Sequence, residues 1–194
     1  MVNKIILASK SKVRKKILQE NGIFCEVEPA NVDEDLVKES LIKEGANPSI
    51  ISKNLAELKA NKVSMKKNEE IVLGADSVID LNGDIISKPS SRIIALEILK
   101  KLNGKKHHLI SSVCISKNGS MIWNYTDKAE LTMKKMTDKQ LKDYLKKIRD
   151  EELYAYNVYQ IEGEGRSLFS KIKGDENTIM GLPIKQIKQY LKAL

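Results

Sequence analysis

The sequence has few of the residues that build disulfide frameworks or transition-metal sites. It contains two cysteines and two histidines in 194 residues. Cys25 and Cys114 are far apart in the sequence, which favours two buried thiols in a reducing compartment. His107 and His108 are adjacent, and adjacent side chains in a strand point to opposite faces of a sheet. We therefore expect no zinc site.

Long apolar runs are also missing. No segment approaches the roughly 18 apolar residues that are needed to span a membrane. The apolar stretch at residues 1–8 is too short for a signal peptide and runs into a polar loop without a cleavage-like site. These absences predict a cytoplasmic protein without a membrane partner.

Aromatic residues are scarce, at 5% of the chain, whereas basic residues give a formal net charge of +8. Such a charge can indicate a partner that carries phosphates, either a nucleic acid or a nucleotide. The lysines are spread along the whole chain, however, which is typical of a solvated basic surface. Charge alone therefore favours such a surface over nucleic-acid binding as the main role.

The order of apolar segments and turns predicts one α/β domain over residues 1–194. Strands and helices alternate early, and later segments form hairpins at the Asn-Gly turns of residues 82–83 and 118–119. This order favours a mixed sheet over a purely doubly wound one. The periodicity predicts helices after Ser11, over residues 36–44, 49–65, 91–102 and 137–148, and after Pro183, with residues 154–183 as glycine-rich loops.

Two hydroxyls and several cations follow the first predicted strand. Ser9, Ser11 and Arg14 lie where that strand turns into a helix, and a helix N-terminus offers free N–H groups to an anion. Arginine can hold a phosphate through two N–H bonds. The alternative is that Ser11 only caps the helix while the cations face water. The glycines of a Walker loop are absent.

Two acidic segments and one glycine-containing loop supply further candidates. Asp76 stands within an apolar strand, where burial is costly unless a partner such as Lys88 pairs with it. It is a candidate general base or metal ligand, or else part of a structural salt bridge. The acidic loop around Glu34 offers oxygen ligands for a cation such as Mg²⁺, or is an exposed loop in which Asp35 caps a helix. Residues 160–165 form a glycine-containing loop whose backbone can approach a ligand closely.

Taken together and in this order, the segments resemble the Maf family of nucleotide pyrophosphatases along nearly the full chain. The matching segments are residues 7–14, 32–34, 55–60, 74–78, 87–89, 102–107, 159–165 and 181–183. The resemblance implies a fold similar to inosine triphosphate pyrophosphatase, with two lobes and a central cleft. It also implies hydrolysis of a nucleoside triphosphate to monophosphate and pyrophosphate, with Mg²⁺ or Mn²⁺ as cofactor. A homodimer is compatible with it, although no segment identifies an interface.

The resemblance also implies a role for each matching residue. Asp76 corresponds to the catalytic base and would share the metal with Glu34. The substrate-binding residues would be Ser9, Ser11, Arg14, Lys59, Lys88 and Glu162. Alternative roles are regulation of septum formation or binding of nucleic acid through the basic surface. The enzyme is favoured because carboxylates accompany the cations at the matching positions.

Three positions depart from the pattern common in the family. Val13 replaces the first arginine of Pro-Arg-Arg, Ser77 replaces a threonine, and Glu162 replaces a glutamine. Val13 removes a cation, and Glu162 puts a carboxylate in place of an amide. Both changes alter which edge of a nucleotide base the protein can hydrogen-bond. These departures favour a substrate like 7-methyl-GTP over dTTP or UTP, because the carboxylate of Glu162 can accept hydrogen bonds from guanine N–H groups.

Overall fold

The computed structural model describes residues 4–194, so the first three residues of the N-terminal apolar stretch lie outside it. Within this range seven strands form one sheet: β1 (Lys4–Leu7), β2 (Phe24–Val27), β3 (Val72–Leu81), β4 (Asp84–Ile86), β5 (Lys106–Lys117), β6 (Ser120–Met133) and β7 (Phe169–Lys173). The α-helices of the same range are α1 (Lys12–Glu20), α2 (Glu34–Lys43), α3 (Pro48–Ser64), α4 (Arg92–Leu102), α5 (Asp138–Lys146), α6 (Asp150–Tyr156), α7 (Glu176–Ile179) and α8 (Ile184–Ala193).

The sheet is mixed, as the sequence predicts. Its strand order is β2-β1-β3-β5-β6-β7, and β4 pairs with β3 outside this path. Strand β1 runs parallel to β2 and β3, whereas the β3–β5, β5–β6 and β6–β7 pairs are antiparallel. The parallel part comes from the early strand–helix–strand segments. In the antiparallel part, β3–β4 and β5–β6 are hairpins, whereas the β3–β5 and β6–β7 pairs are joined by longer connections that contain helices.

Helix α3 lies directly on the centre of the sheet. A Cβ atom at Gly74 of β3 would come within 2.2 Å of the Ala56 carbonyl oxygen and 2.7 Å of the Ala60 nitrogen. Only glycine allows the helix backbone to approach the strand this closely. The approach places the α3 side chains beside the middle of β3, where Asp76 lies.

Two large hydrophobic clusters give the molecule its two lobes. One surrounds α1, α8 and the β1 end of the sheet, and the other surrounds α4, α5 and the far ends of β3, β5 and β6. Residues of each cluster line the same cavity: Val13 belongs to the first, Ile79 and Tyr159 to the second, and Met180 packs against both. This arrangement confirms the predicted α/β fold with a central cleft.

Several local predictions change. Helix α2 begins at Glu34, and the Asp33 side chain accepts a hydrogen bond from the Leu36 amide at 3.1 Å, so the prediction that Asp35 is the cap is wrong. The segment predicted as loops contains the end of α6, the whole of β7 and the whole of α7. Of the two cysteines, Cys114 is buried and Cys25 is half-buried. Within residues 4–194 no helix is long and apolar enough to cross a bilayer.

Candidate active site

A cavity of about 440 Å³ opens between the two lobes. Its walls come from the β1–α1 loop, α2, α3, β3, the segment after β4 and the segment that follows α6. All the residues predicted from the sequence line this one cavity: Ser9, Ser11, Arg14, Glu34, Lys59, Asp76, Lys88 and Glu162. The fold therefore brings together side chains that lie up to about 150 positions apart in the chain.

Charged groups join α2, α3 and β3 in the middle of the cavity. The Lys59 ammonium lies 2.8 Å from Asp76 Oδ1 and 2.8 Å from Glu34 Oε1. The Lys59 and Asp76 side chains are 8% and 5% exposed, so both charges are almost fully removed from water. The partner of Asp76 is therefore Lys59, and the sequence-based pairing with Lys88 is wrong. Lys88 lies at the rim of the same cavity.

One oxygen of Asp76 is left without a partner. Its Oδ2 atom is buried and has no hydrogen bond within residues 4–194. Buried polar atoms in proteins are nearly always hydrogen-bonded, so an orphaned carboxylate oxygen in a cavity indicates a place for a ligand, a water or a cation. Together with Glu34 it offers two carboxylates, which fits Mg²⁺ or Mn²⁺ held by one or two carboxylates plus substrate phosphates.

The Arg14 guanidinium connects several walls of the cavity through hydrogen bonds. Its Nε donates to the Gly181 carbonyl at 2.9 Å, and Nη1 donates to the Ala75 carbonyl at 2.9 Å and to Ser9 Oγ at 3.1 Å. Nη2 donates to Ser77 Oγ at 3.1 Å. Four of the five N–H donors of the guanidinium are thus engaged with the protein.

The two serines of the β1–α1 loop shape the start of α1. Ser11 is the N-cap, and its Oγ accepts a hydrogen bond from the Arg14 amide at 3.3 Å. Ser9 Oγ accepts one from the Ser11 amide at 3.3 Å. The capping role considered for Ser11 is therefore present, and both serines still line the cavity.

The charges in the cavity shift the pKa values of their neighbours. Burial alone would raise the pKa of Glu34, but the charge and hydrogen bond of Lys59, with the charges of Lys88 and Lys38, outweigh it and lower that pKa. Desolvation lowers the pKa of Lys88, and the positive charges of Arg14 and Lys59 lower it further. Glu34 is therefore held as a carboxylate, ready to face a cation.

A second wall is formed by the segment that carries Glu162. Glu162 is exposed at the mouth, whereas Tyr159 and Ile161 are buried. His107 Nε2 and the Tyr159 hydroxyl are hydrogen-bonded at 3.0 Å, which fixes this segment to β5. A Cβ at Gly165 would lie 2.5 Å from the Gln160 backbone, so the loop folds tightly back on itself.

Sequence patterns miss some of the residues in the cavity. Lys38 adds a cation, and Ser77 connects Arg14 to Ser111, whose hydroxyl lies 2.8 Å from that of Ser77. The position of Lys38 could have been found from the sequence, because it stands four residues after Glu34 and so lies on the same helix face. Nothing local in the sequence indicates the contacts of Ser77 and Ser111.

Comparison with known proteins assigns the family. The sequence model of a family described as "Maf-like protein" matches residues 4–194. The chain belongs to the Maf family. It is 75% identical to a protein of Pelagibacter ubique (strain HTCC1062) named nucleoside triphosphate pyrophosphatase, over 100% of both chains. This Maf chain is also 36% identical to a protein of Rhizobium etli named 7-methyl-GTP pyrophosphatase, over 100% of its own length and 98% of the relative.

A solved structure supports the fold of this Maf protein. The structure of a HAM1 protein from Coxiella burnetii matches with a TM-score of 0.54 and covers 98% of this chain and 99% of that one. The two sequences are only 13% identical, so the likeness concerns the fold alone.

Proposed function

We propose that this Maf-family protein is a nucleoside triphosphate pyrophosphatase, which cleaves the bond between the α- and β-phosphates. The observation that carries the proposal is the buried, unpaired Oδ2 of Asp76, in a cavity that also gathers Lys59, Glu34 and the β1–α1 loop. The names of relatives over the full length of the chain support it. A regulatory or nucleic-acid-binding role is less well supported, because the cavity mixes carboxylates with cations as phosphate chemistry requires.

Each group in the cavity has its own role in the proposed reaction. Lys59 keeps Asp76 oriented through the 2.8 Å contact with Oδ1, which leaves Oδ2 free to orient a water and to accept its proton. A Mg²⁺ or Mn²⁺ ion held by Asp76 and Glu34 would neutralise phosphate charge and polarise the attacked phosphorus. The N–H groups of the β1–α1 loop, together with Lys88, bind phosphate oxygens.

Arg14 acts mainly on the walls of the site. Because its donors hold Ala75, Ser77, Gly181 and Ser9, it fixes the loop that carries Ser9 and Ser11 against β3. It has a single N–H left for a phosphate, so its contribution is chiefly the shape of the phosphate loop rather than a two-bond clamp.

Glu162 sets the preference for the base. Its carboxylate stands at the mouth of the cavity and can accept hydrogen bonds from the N–H groups of a guanine edge. The name of the Rhizobium etli relative supports a substrate like 7-methyl-GTP over dTTP or UTP. We further expect the enzyme to act in the cytoplasm, as one functional unit over residues 1–194, with a homodimer as an open prediction.

A nucleotide panel tests this function. Pyrophosphate release is measured from the common triphosphates and from 7-methyl-GTP, with Mg²⁺, with Mn²⁺ and with excess chelator. The expected result is release from a small subset of nucleotides, led by 7-methyl-GTP, and its loss with the chelator. Folded protein that releases no pyrophosphate from any of them, with either metal, would refute the proposal.

A further inference from the structure

Several cationic side chains line the cavity, but those nearest to Asp76 are already bound to other groups of the protein. The cations of the cavity are Lys10, Arg14, Lys38, Lys59 and Lys88. Four N–H donors of Arg14 are hydrogen-bonded to protein groups, and the Lys59 ammonium lies between two carboxylates. Among the cationic side chains of the cavity, the other lysines therefore have to supply most of the charge that meets a bound triphosphate, beside the metal and the N–H groups of the β1–α1 loop.

Lys38 is placed unusually for a lysine on an exposed helix. Helix α2 has no buried residue, yet the Lys38 side chain is only 13% exposed and lines the cavity. Lysine side chains normally extend into water because ordering and desolvating them is costly. This side chain is instead held against the wall of the cavity, where its charge acts on Glu34.

The ion pair that Lys38 makes is weak. Its ammonium lies 3.8 Å from Asp35 Oδ1, and the Asp35 side chain is 87% exposed. An exposed pair at that distance contributes little and is easily exchanged for a better anion. Lys38 is also close enough to Glu34 for its charge to act on that carboxylate.

We propose that Lys38 binds the β- and γ-phosphates, that is, the part of the substrate that leaves as pyrophosphate. This inference rests on the proposed function. Lys38 follows Glu34 by one helical turn, and Glu34 is joined through Lys59 to Asp76, so Lys38 extends the row of charged groups outward from the attacked α-phosphate. Negative charge grows on the leaving pyrophosphate in the transition state, and a cation there stabilises it.

The test compares triphosphate and monophosphate binding in matched variants. Lys38→Met keeps the apolar stem and removes the charge, and Lys38→Arg restores a cation. Lys43→Met is the control, because Lys43 is an exposed lysine on the same helix that does not line the cavity. Calorimetry with Mg²⁺ measures the affinity for a non-hydrolysable α,β-methylene triphosphate and for the corresponding monophosphate.

Lys38→Met is expected to bind the triphosphate about tenfold more weakly and the monophosphate within about twofold of wild type. Lys38→Arg should recover most of the loss, and Lys43→Met should match wild type. With a substrate from the panel, Lys38→Met should lower kcat/KM by a similar factor, and pyrophosphate should inhibit it more weakly.

Two results would overturn the role of Lys38 while leaving the proposed function intact. One is unchanged triphosphate affinity in Lys38→Met and in a second variant, Lys38→Gln. The other is an equal loss of affinity for triphosphate and monophosphate, which would indicate a general structural role. Wild-type protein that binds no triphosphate would instead refute the proposed function, and the role of Lys38 with it.

Discussion

Two walls of the cavity are built in different ways. The wall around Asp76 lies in the centre of the sheet, where α3 packs on β3 and ion pairs fix the side chains. The wall around Glu162 is a loop that hydrogen bonds from His107 and Tyr144 attach to the rest of the lobe. Each contains a buried polar atom without a partner among the described residues, an acceptor in the first and the Gln160 Nε2 donor in the second.

Under the proposed function, this difference separates the chemistry from the choice of base. Groups that position water and phosphate must be held to a fraction of an ångström, and a packed sheet with a close-fitting helix provides that rigidity. A loop can change its side chains without disturbing the sheet, so it is suited to selecting among bases. Changes in the first wall should therefore affect turnover, and changes in the second should affect preference.

The largest effect should come from Lys59→Met. It leaves two carboxylates close together without their cation, so Asp76 loses both its orientation and its charge partner. We expect a loss of turnover of at least about 100-fold, and a loss of stability on the order of 3 kcal/mol, as for broken buried pairs. Steady-state kinetics and denaturant unfolding measure the two. Near wild-type turnover would show that the first wall does not depend on this contact.

Low pH should loosen the second wall. Burial, and then the charge of His108, lower the pKa of His107 to about 4 from its ordinary 6.5. The folded protein therefore favours neutral His107, and the resulting stability is present above about pH 6.5 and lost as the pH falls towards 4. Across this pH range the free energy of unfolding should fall by on the order of 3 kcal/mol.

The matching variant is His107→Gln, which keeps a hydrogen-bonding group for Tyr159 but does not titrate. Its free energy of unfolding, measured by denaturant between pH 7 and pH 4.5, should depend less steeply on pH than that of wild type. His108→Gln, on the more exposed neighbour, should keep most of the wild-type slope. Equal slopes for wild type and His107→Gln would contradict the account of this wall.

Glu162→Gln should have the smallest effect and should change preference alone. The glutamine amide keeps one acceptor oxygen but has an NH2 donor in place of the second, so one guanine N–H group loses its acceptor. We expect the ratio of kcat/KM for 7-methyl-GTP over UTP to fall about tenfold, with kcat on the better substrate nearly unchanged. Competition assays with both nucleotides measure the ratio. A fall in kcat with no change in the ratio would place Glu162 in the chemistry instead.

The sequence predicts the local features well, because they depend on nearby residues. The Asn-Gly turns, the strand that carries Asp76 and the helix after Ser11 all follow from patterns of a few residues. The order of these segments, through the family resemblance, also places the predicted site residues in one cavity. Whether each of them has its predicted role stays open to the experiments above.

Contacts between distant segments are what the sequence does not reveal. The pairing of Asp76 with Lys59 depends on α3 reaching the strand over Gly74. The Nε donor of Arg14 binds the carbonyl of Gly181, 167 residues away. Strand β7 is short and gains its structure by pairing with β6. Its pattern alone could not distinguish it from the surrounding loops.

The most direct test of the central claim concerns Asp76. Asp76→Asn keeps the size of the side chain and removes the negative charge and the basic oxygen. Asp80→Asn is the matched control, because Asp80 is a buried carboxylate of the same strand that does not line the cavity. Turnover of the best nucleotide and affinity for its non-hydrolysable analogue are measured for both variants and for wild type. Asp76→Asn should lose turnover by about 100-fold or more while it still binds the nucleotide, and Asp80→Asn should keep it. Wild-type turnover in a folded Asp76→Asn variant would contradict the account.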